Sequence, residues 1–296
     1  MQTILKKQKI SIVPIVLLLP ALTLLAVFSI YPVFNAFFLS FYNKQMLAPG
    51  KTFIGLGNYI HLFQDAAFMN SLKVTVLYVG GSVLLQFLMG LIIASLLCVK
   101  DLKGRAIFRT LIILPYTLSE LVVSLIWLRM LDPQSGVINY IISLFGAQPV
   151  NWLFHWALPV VILVNVWWGT TFSLLMFESA MQGIPQSLYE AAEVDGASVF
   201  QRFIYITLPA LKYISLLVLI MITLYTINSF GIIFVLTAGG PVGATNVIGM
   251  YMWNNAFQSS DLGLGATIST IIFIVNIVIT LIYIRGFGMS TMERRD

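Results

Sequence analysis

The sequence predicts an all-α integral membrane protein with six transmembrane helices and both termini cytoplasmic, and three observations carry that prediction. The 296 residues are 59% hydrophobic and only 9% charged, against roughly a quarter charged in an ordinary soluble domain. Charge-free intervals recur along the chain at about 20 residues or more, the length that crosses hydrocarbon as a helix. Lys and Arg collect at the ends of these intervals, mostly on one side. A soluble protein of this length would still need a charged surface, and this chain has too few charges to cover itself.

The first helix is expected near Ile12 to Ile30, in a stretch without charge between Lys9 and Lys44, with apolar residues continuing to Phe41. The run is long and is followed by Tyr31-Pro32 rather than a small-residue cleavage site, so it reads as a retained helix and not a signal peptide. The second span lies in the charge-free stretch from Val74 to Val99. The third runs from about Ile107 to Met130 with a single acid, Glu120, inside it. Such an acid either faces a cavity or gate, or lies near the outer end, hydrated or paired with Arg129; the structural role is the favoured one. The interval from Pro133 to Phe177 is too long for one crossing and divides into an outer loop and a fourth helix near Ala157 to Phe177. The interval from Tyr213 to Ser260 divides likewise, into a fifth helix near Ile214 to Leu236 and a Gly-rich outer loop. The sixth span runs from about Leu264 to Ile284. Breaks are expected at Pro20, Pro32, Pro115, Pro159, Gly169 and Gly231.

Six crossings place both termini on one side, together with the second-to-third and fourth-to-fifth connections. That side carries Lys6, Lys7, Lys9, Lys100, Lys103, Arg105, Arg109, Arg202, Lys212, Arg285, Arg294 and Arg295, and the other only Lys44, Lys51, Lys73 and Arg129. The basic majority makes the first side cytoplasmic. The net charge of +5 is thereby topological and implies a lipid bilayer rather than nucleic acid as partner. Cys98 is the single cysteine, which excludes an internal disulfide and a Cys cluster, and it reads as a small buried apolar side chain. His61 and His155 stand isolated in loops, no paired-carboxylate or nucleophile–base constellation is present, and no metal or cofactor site is expected. No G-x-x-x-x-G-K-[ST] phosphate loop occurs, so an ATPase would have to be a separate subunit.

The longest inward loop, Glu178 to Lys212, reads as two short helices. Pro185 suits a first helical turn, and Leu188, Ala191 and Ala192 form an i, i+3, i+4 stripe beside Glu190 and Glu193. Asp195-Gly196 supplies a stop, Ser198 with Gln201 a capping box that restarts a helix, and Leu208-Pro209 an end. On physics alone this is either an interfacial helix fastening the loop or a docking element for a partner. The spacing Glu190-Ala191-Ala192, three residues, Gly196, nine residues, Ile206-Thr207-Leu208-Pro209 resembles the EAA loop of binding-protein-dependent ABC importer permeases.

That resemblance implies a type I ABC importer permease fold, in a bacterial-type cytoplasmic membrane, multi-pass. Its units would be residues 1–68 with the first helix and an outer loop, 69–285 as the five-helix transmembrane domain containing the 183–209 coupling loop, and 286–296 as a cytoplasmic tail. Glu190, Ala191, Ala192, Asp195 and Gly196 would form the element that docks on an ATP-binding subunit. It further implies a second, non-identical homologous permease, two ATP-binding subunits that use ATP and Mg, and an extracytoplasmic solute-binding protein. The chain itself would be no enzyme.

Segments Phe53-Ile54-Gly55-Leu56-Gly57-Asn58-Tyr59, Leu114-Pro115-Tyr116 and Gly239-Gly240-Pro241 extend the resemblance to the carbohydrate-uptake group, similar to maltose and glycerol-3-phosphate permease subunits. A sugar needs hydroxyl partners and aromatic faces. The fourth span offers Asn165, Trp167, Trp168, Gly169, Thr170, Thr171 and Phe172, and the fifth Tyr225, Thr226, Asn228, Ser229 and Phe230. These either line a cavity or hydrogen-bond between helices. The resemblance assigns the substrate pathway to Trp167, Trp168, Gly169, Phe172, Tyr225, Thr226, Asn228 and Ser229. Maltose subunits have tyrosine at the place of Phe172 and asparagine at those of Thr226 and Ser229, so a location is implied and not a ligand. The alternatives are an ABC permease for a non-sugar solute and an ion-driven secondary transporter, which would show inverted repeats and midplane acids that this chain lacks apart from Glu120.

Overall fold

The computed structural model describes residues 12–99 and 102–287. Among them, Leu17–Leu39, Ala66–Leu97, Ala157–Gln182, Lys212–Leu236 and Leu262–Gly286 are long and apolar enough to cross a membrane. The bent pair Arg105–Thr117 and Glu120–Met130 passes the same test only when its two halves are taken together, which makes it the sixth candidate span. Lys6, Lys7, Lys9, Lys100, Arg294 and Arg295, and nearly all of the expected tail, lie outside the described residues.

The first span runs on to Leu39 because Pro32 does not stop it. A π-helical turn at Ala26–Ile30 precedes the proline and widens the backbone where a proline ring would meet the carbonyl of the preceding turn. Pro20 also sits inside its helix. The second span starts earlier than expected, at Ala66, where the Asp65 carboxylate accepts the Ala67 N–H at 2.8 Å. Its 32 residues reach about 48 Å, well beyond the roughly 30 Å of hydrocarbon.

The third span departs most from expectation. Helix Arg105–Ile113 closes in a tight turn at Leu114–Thr117, Leu118 and Ser119 are extended, and Glu120–Met130 leaves at 103° with Ser119 as its cap. Pro115 supplies no N–H to continue the first helix, while hydropathy records apolarity and not direction. The expected breaks at Pro159 and Gly169 do not occur. Pro159 falls in the first turn of Ala157–Gln182, where the missing N–H would have no partner, and Gly169 is a point of close packing. The fifth span does break, at Ser229 and Phe230, between Lys212–Asn228 and Gly231–Leu236.

The second and fourth spans form the spine. A Cβ on Gly90 would lie 2.4 Å from Ser173 Cβ and 3.0 Å from the Leu174 nitrogen, so the two backbones touch there through small residues. Val74, Val123, Val161, Ile232 and Met250 make an outer core, and Leu97, Leu174, Phe177, Leu211 and Val218 an inner one. At the inner end Glu178, 1% exposed, receives Arg105 Nη2 at 3.3 Å and has Arg109 Nε 3.3 Å from its other oxygen. At the outer end the Thr267 hydroxyl and the Asn58 amide both donate to the Ser40 carbonyl, at 3.1 and 2.9 Å. These bonds tie the first span to the sixth. The tyrosine of Thr223–Tyr283, 3.1 Å apart, links fifth and sixth.

His61 and His155 stand in the short helices Gly57–Gln64 and Trp152–His155 rather than in loops. Cys98 is half-buried, at the cap of the second span, rather than buried.

Candidate functional site

Two regions carry the candidate residues. The inward loop holds helix Gln186–Val194, with Pro185 as its N-cap rather than in its first turn. Gly196 takes φ +76°, a left-handed conformation in which a Cβ is strained, and the Ala197 N–H reaches back to the Ala192 carbonyl at 2.8 Å. Ser198 and Gln201 form the expected capping box, with bonds of 3.3 and 2.8 Å. The second helix does not end at Leu208-Pro209. It passes through a π turn at Phe203–Thr207, which accommodates Pro209, and ends after Ala210.

The two short helices are locked together. The hydroxyls of Tyr189 and Thr207 lie 2.9 Å apart, and Arg202 Nη1 donates to Glu193 at 3.1 Å. Glu190, Ala191, Asp195 and Gly196 are exposed and Ala192 is partly so. Leu188, Val194, Val199 and Phe200 are also exposed, Val194 at 89%, which makes a rigid surface with an apolar content out of place in water.

The second region is a cavity between the second, fourth and fifth spans and the turn of the third. It holds about 440 Å³ of empty space, part of it open to solvent, and is lined by Gln86, Tyr116, Asn165, Trp168, Gly169, Phe172, Met221, Ile222, Tyr225, Thr226 and Ser229. Ring centroids of Tyr116 and Trp168 are 5.8 Å apart and those of Trp168 and Tyr225 6.4 Å, so three aromatics follow one another along one wall. The structure thus brings together Trp168, Gly169, Phe172, Tyr225, Thr226 and Ser229. It leaves out Trp167, which packs edge-on against Trp127 at 5.7 Å. It also leaves out Asn228, whose amide donates to the Leu224 carbonyl at 2.7 Å and whose carbonyl accepts from Asn276 at 3.3 Å.

Gln86 and Tyr116 are cavity residues that the site prediction lacked. Gln86 was findable as the lone amide in the apolar run of the second span. Its Nε2 donates to the backbone carbonyl of Asn165 at 3.3 Å and to the Asn165 side-chain oxygen, and the Asn165 amide donates to the Tyr78 hydroxyl. Gly169 makes this possible, since a Cβ there would stand 2.7 Å from Gln86 Nε2. Tyr116 reaches the cavity because the Pro115 turn swings it inward, which only the bend decides.

Glu120, half-buried, lies behind the cavity wall, and its partners come from the fifth span rather than from Arg129. Its Oε1 accepts the Ser229 hydroxyl and, at 2.9 Å, the Ile232 N–H. Gly231 leaves the room, because a Cβ there would be 2.8 Å from the carboxyl carbon. The carboxylate therefore joins the break in the third span to the break in the fifth.

Among the described residues no cluster of three or more His, Cys, Asp or Glu is placed to hold a metal. Residues 86–285 match the family described as binding-protein-dependent transport system inner membrane component. The trehalose/maltose transport system permease protein of Thermococcus litoralis is 37% identical over 274 residues, covering 91% of each chain. The sn-glycerol-3-phosphate transport system permease protein of Agrobacterium fabrum is 30% identical over 287 residues, covering 96% of each. Among solved structures, a bacterial ABC transporter involved in the import of the acidic polysaccharide alginate superposes with TM-score 0.83 at 25% identity, over 94% of this chain and 96% of that one.

Proposed function

The chain belongs to the binding-protein-dependent transport system inner membrane component family and is a permease subunit of an ABC importer; from that premise we propose that it carries a sugar or sugar derivative inward through the cavity of Trp168 and Tyr225. The observation that carries this reading is the cavity wall itself. Aromatic faces from Tyr116, Trp168 and Tyr225 share the lining with the polar groups of Gln86, Thr226 and Ser229, as a ligand with C–H faces and peripheral hydroxyls requires. Two relatives named for maltose or trehalose and for glycerol 3-phosphate favour the same class.

The drive enters at the inner face. Helix Gln186–Val194 is short, exposed and braced through Tyr189 and Glu193, so a push on it displaces the bundle instead of dissipating in a loop. Glu190, Ala191, Ala192, Asp195 and Gly196 are the surface on which an ATP-binding subunit seats. That subunit, with ATP and Mg, performs the hydrolysis, since this chain has no phosphate loop. Tyr225 is 59% exposed, which suits a cavity completed by a second permease. A solute-binding protein delivers cargo from outside, and the complex resides in the cytoplasmic membrane. Alternating access then follows from the paired coupling helices moving together as the ATPase dimer closes.

Uptake by proteoliposomes containing the assembled importer tests this reading. Gly196→Pro and Glu190→Lys are expected to lower ATP-driven sugar uptake at least about tenfold, with wild-type uptake indifferent to a collapsed ion gradient. Normal uptake in both variants would remove the loop from the mechanism.

A further inference from the structure

Resting on the sugar reading, we infer that Glu120 is a specificity-determining residue that makes this cavity select neutral, hydroxyl-rich sugars against anionic ones. The lining carries no cationic side chain: Gln86, Tyr116, Asn165, Trp168, Tyr225, Thr226 and Ser229 supply its polar groups. Arg129 lies at the far end of Glu120–Met130, two and a half turns from Glu120. The nearest charge is the Glu120 carboxylate, which touches the wall residue Ser229 directly.

Hydrogen-bond polarity points the same way. Ser229 spends its proton on Glu120 and offers the cavity only lone pairs. Trp168 spends its indole N–H on the Leu118 carbonyl at 3.2 Å. The backbone carbonyl of Asn165 accepts only, so the end of Gln86 bonded to it is the amide nitrogen and the oxygen is left over as an acceptor. A sugar hydroxyl donates to such groups. A carboxylate, phosphate or sulfonate has no proton to give these groups and would leave them unpaired; it finds donors only in the Tyr116, Tyr225 and Thr226 hydroxyls, and it meets the Glu120 charge across a partly desolvated wall. Similarity to an importer of acidic alginate therefore does not transfer the cargo's charge.

The test is ligand binding to the assembled permease–ATPase complex without a solute-binding protein, so that the cavity alone chooses. Saturation-transfer NMR with two pairs, maltose against maltobionate and trehalose against trehalose 6-phosphate, reads the preference. The wild type is expected to bind the neutral member of a pair, and Glu120→Gln, which keeps the acceptor oxygen for Ser229 and Ile232, to narrow the preference about tenfold. Glu120→Asp, keeping the charge, is expected to retain it. Equal or tighter wild-type binding of the anionic member overturns the inference while leaving the sugar reading intact, and that result needs no variant to fold. An unchanged ratio in an assembled Glu120→Gln complex also overturns it. Binding of neither member of either pair overturns the sugar reading and the inference with it.

Discussion

Gly90 has no side chain, and the spine of the molecule depends on that. A methyl group there would stand 2.4 Å from Ser173 Cβ, and its other neighbours are backbone atoms of the fourth span, which cannot swing aside. Alanine improves local helix propensity by about 1 kcal/mol, but separating two tightly packed helices costs about 1–3 kcal/mol, so Gly90→Ala is expected to lower the melting temperature of the purified protein. A rise would refute the close approach. The Asp65 cap is also measurable. The Tyr251 hydroxyl, followed by the Ala67 and Phe68 N–H groups and His61, outweighs burial and holds the Asp65 carboxyl below its ordinary 3.8. Tyr251 is itself pushed up, by burial first and by Asp65 next. A carboxyl whose folded value is depressed adds stability above its ordinary value and loses it as pH falls through 3.8 toward the folded one. Melting temperature should therefore fall from about pH 5 to about pH 3, and Tyr251→Phe should flatten that fall. An identical slope in the variant would show that the hydroxyl does not act.

At the scale of elements, short connections hold what long helices only suggest. Glu178 is the one acid buried at the inner end among the described residues, and it faces Arg105 and Arg109 from the third span. Both arginines are nearly half exposed, so water already screens the pairs and their loss is milder than that of a fully buried bridge. Glu178→Ala is expected to cost about 1–3 kcal/mol, and less at high salt, read as urea or thermal unfolding in micelles. Insensitivity to salt would assign the loss to packing instead. The broken third span is the second case. Pro115 ends one half and Ser119 starts the other, and this break, with the one at Ser229, is what opens room for the cavity. Helical pieces with free ends near a ligand can shift without unzipping a ladder of backbone bonds.

For the whole molecule, the first span stands apart from the spans that line the cavity. None of the residues in its crossing is buried within the chain, and its outer end is held by Ser40, Asn58 and Thr267. The matched family region, 86–285, also excludes it. Removing residues 1–39 is accordingly expected to leave the remaining bundle folded, with protease resistance and a cooperative melt retained, while lowering uptake through a lost lipid-facing or partner-facing surface. Collapse of the truncated chain would make that helix part of the core.

Composition determined the membrane and the apolar helices, because lipid imposes a length on every apolar run, and the placement of positive charge sets the expected direction. Spacing determined the inner helix pair, because capping and a left-handed glycine are local chemistry: Ser198, Gln201 and Gly196 do in space what they promise in sequence. Only tertiary structure decided which polar residues share a cavity. Trp167 and Trp168 are neighbours in sequence, yet one step along a helix turns the chain by about 100°, so one lines the cavity and the other faces Trp127. Gln86, Tyr116 and Glu120 join the site from two other spans through a bend and a backbone contact, and hydropathy holds no record of either.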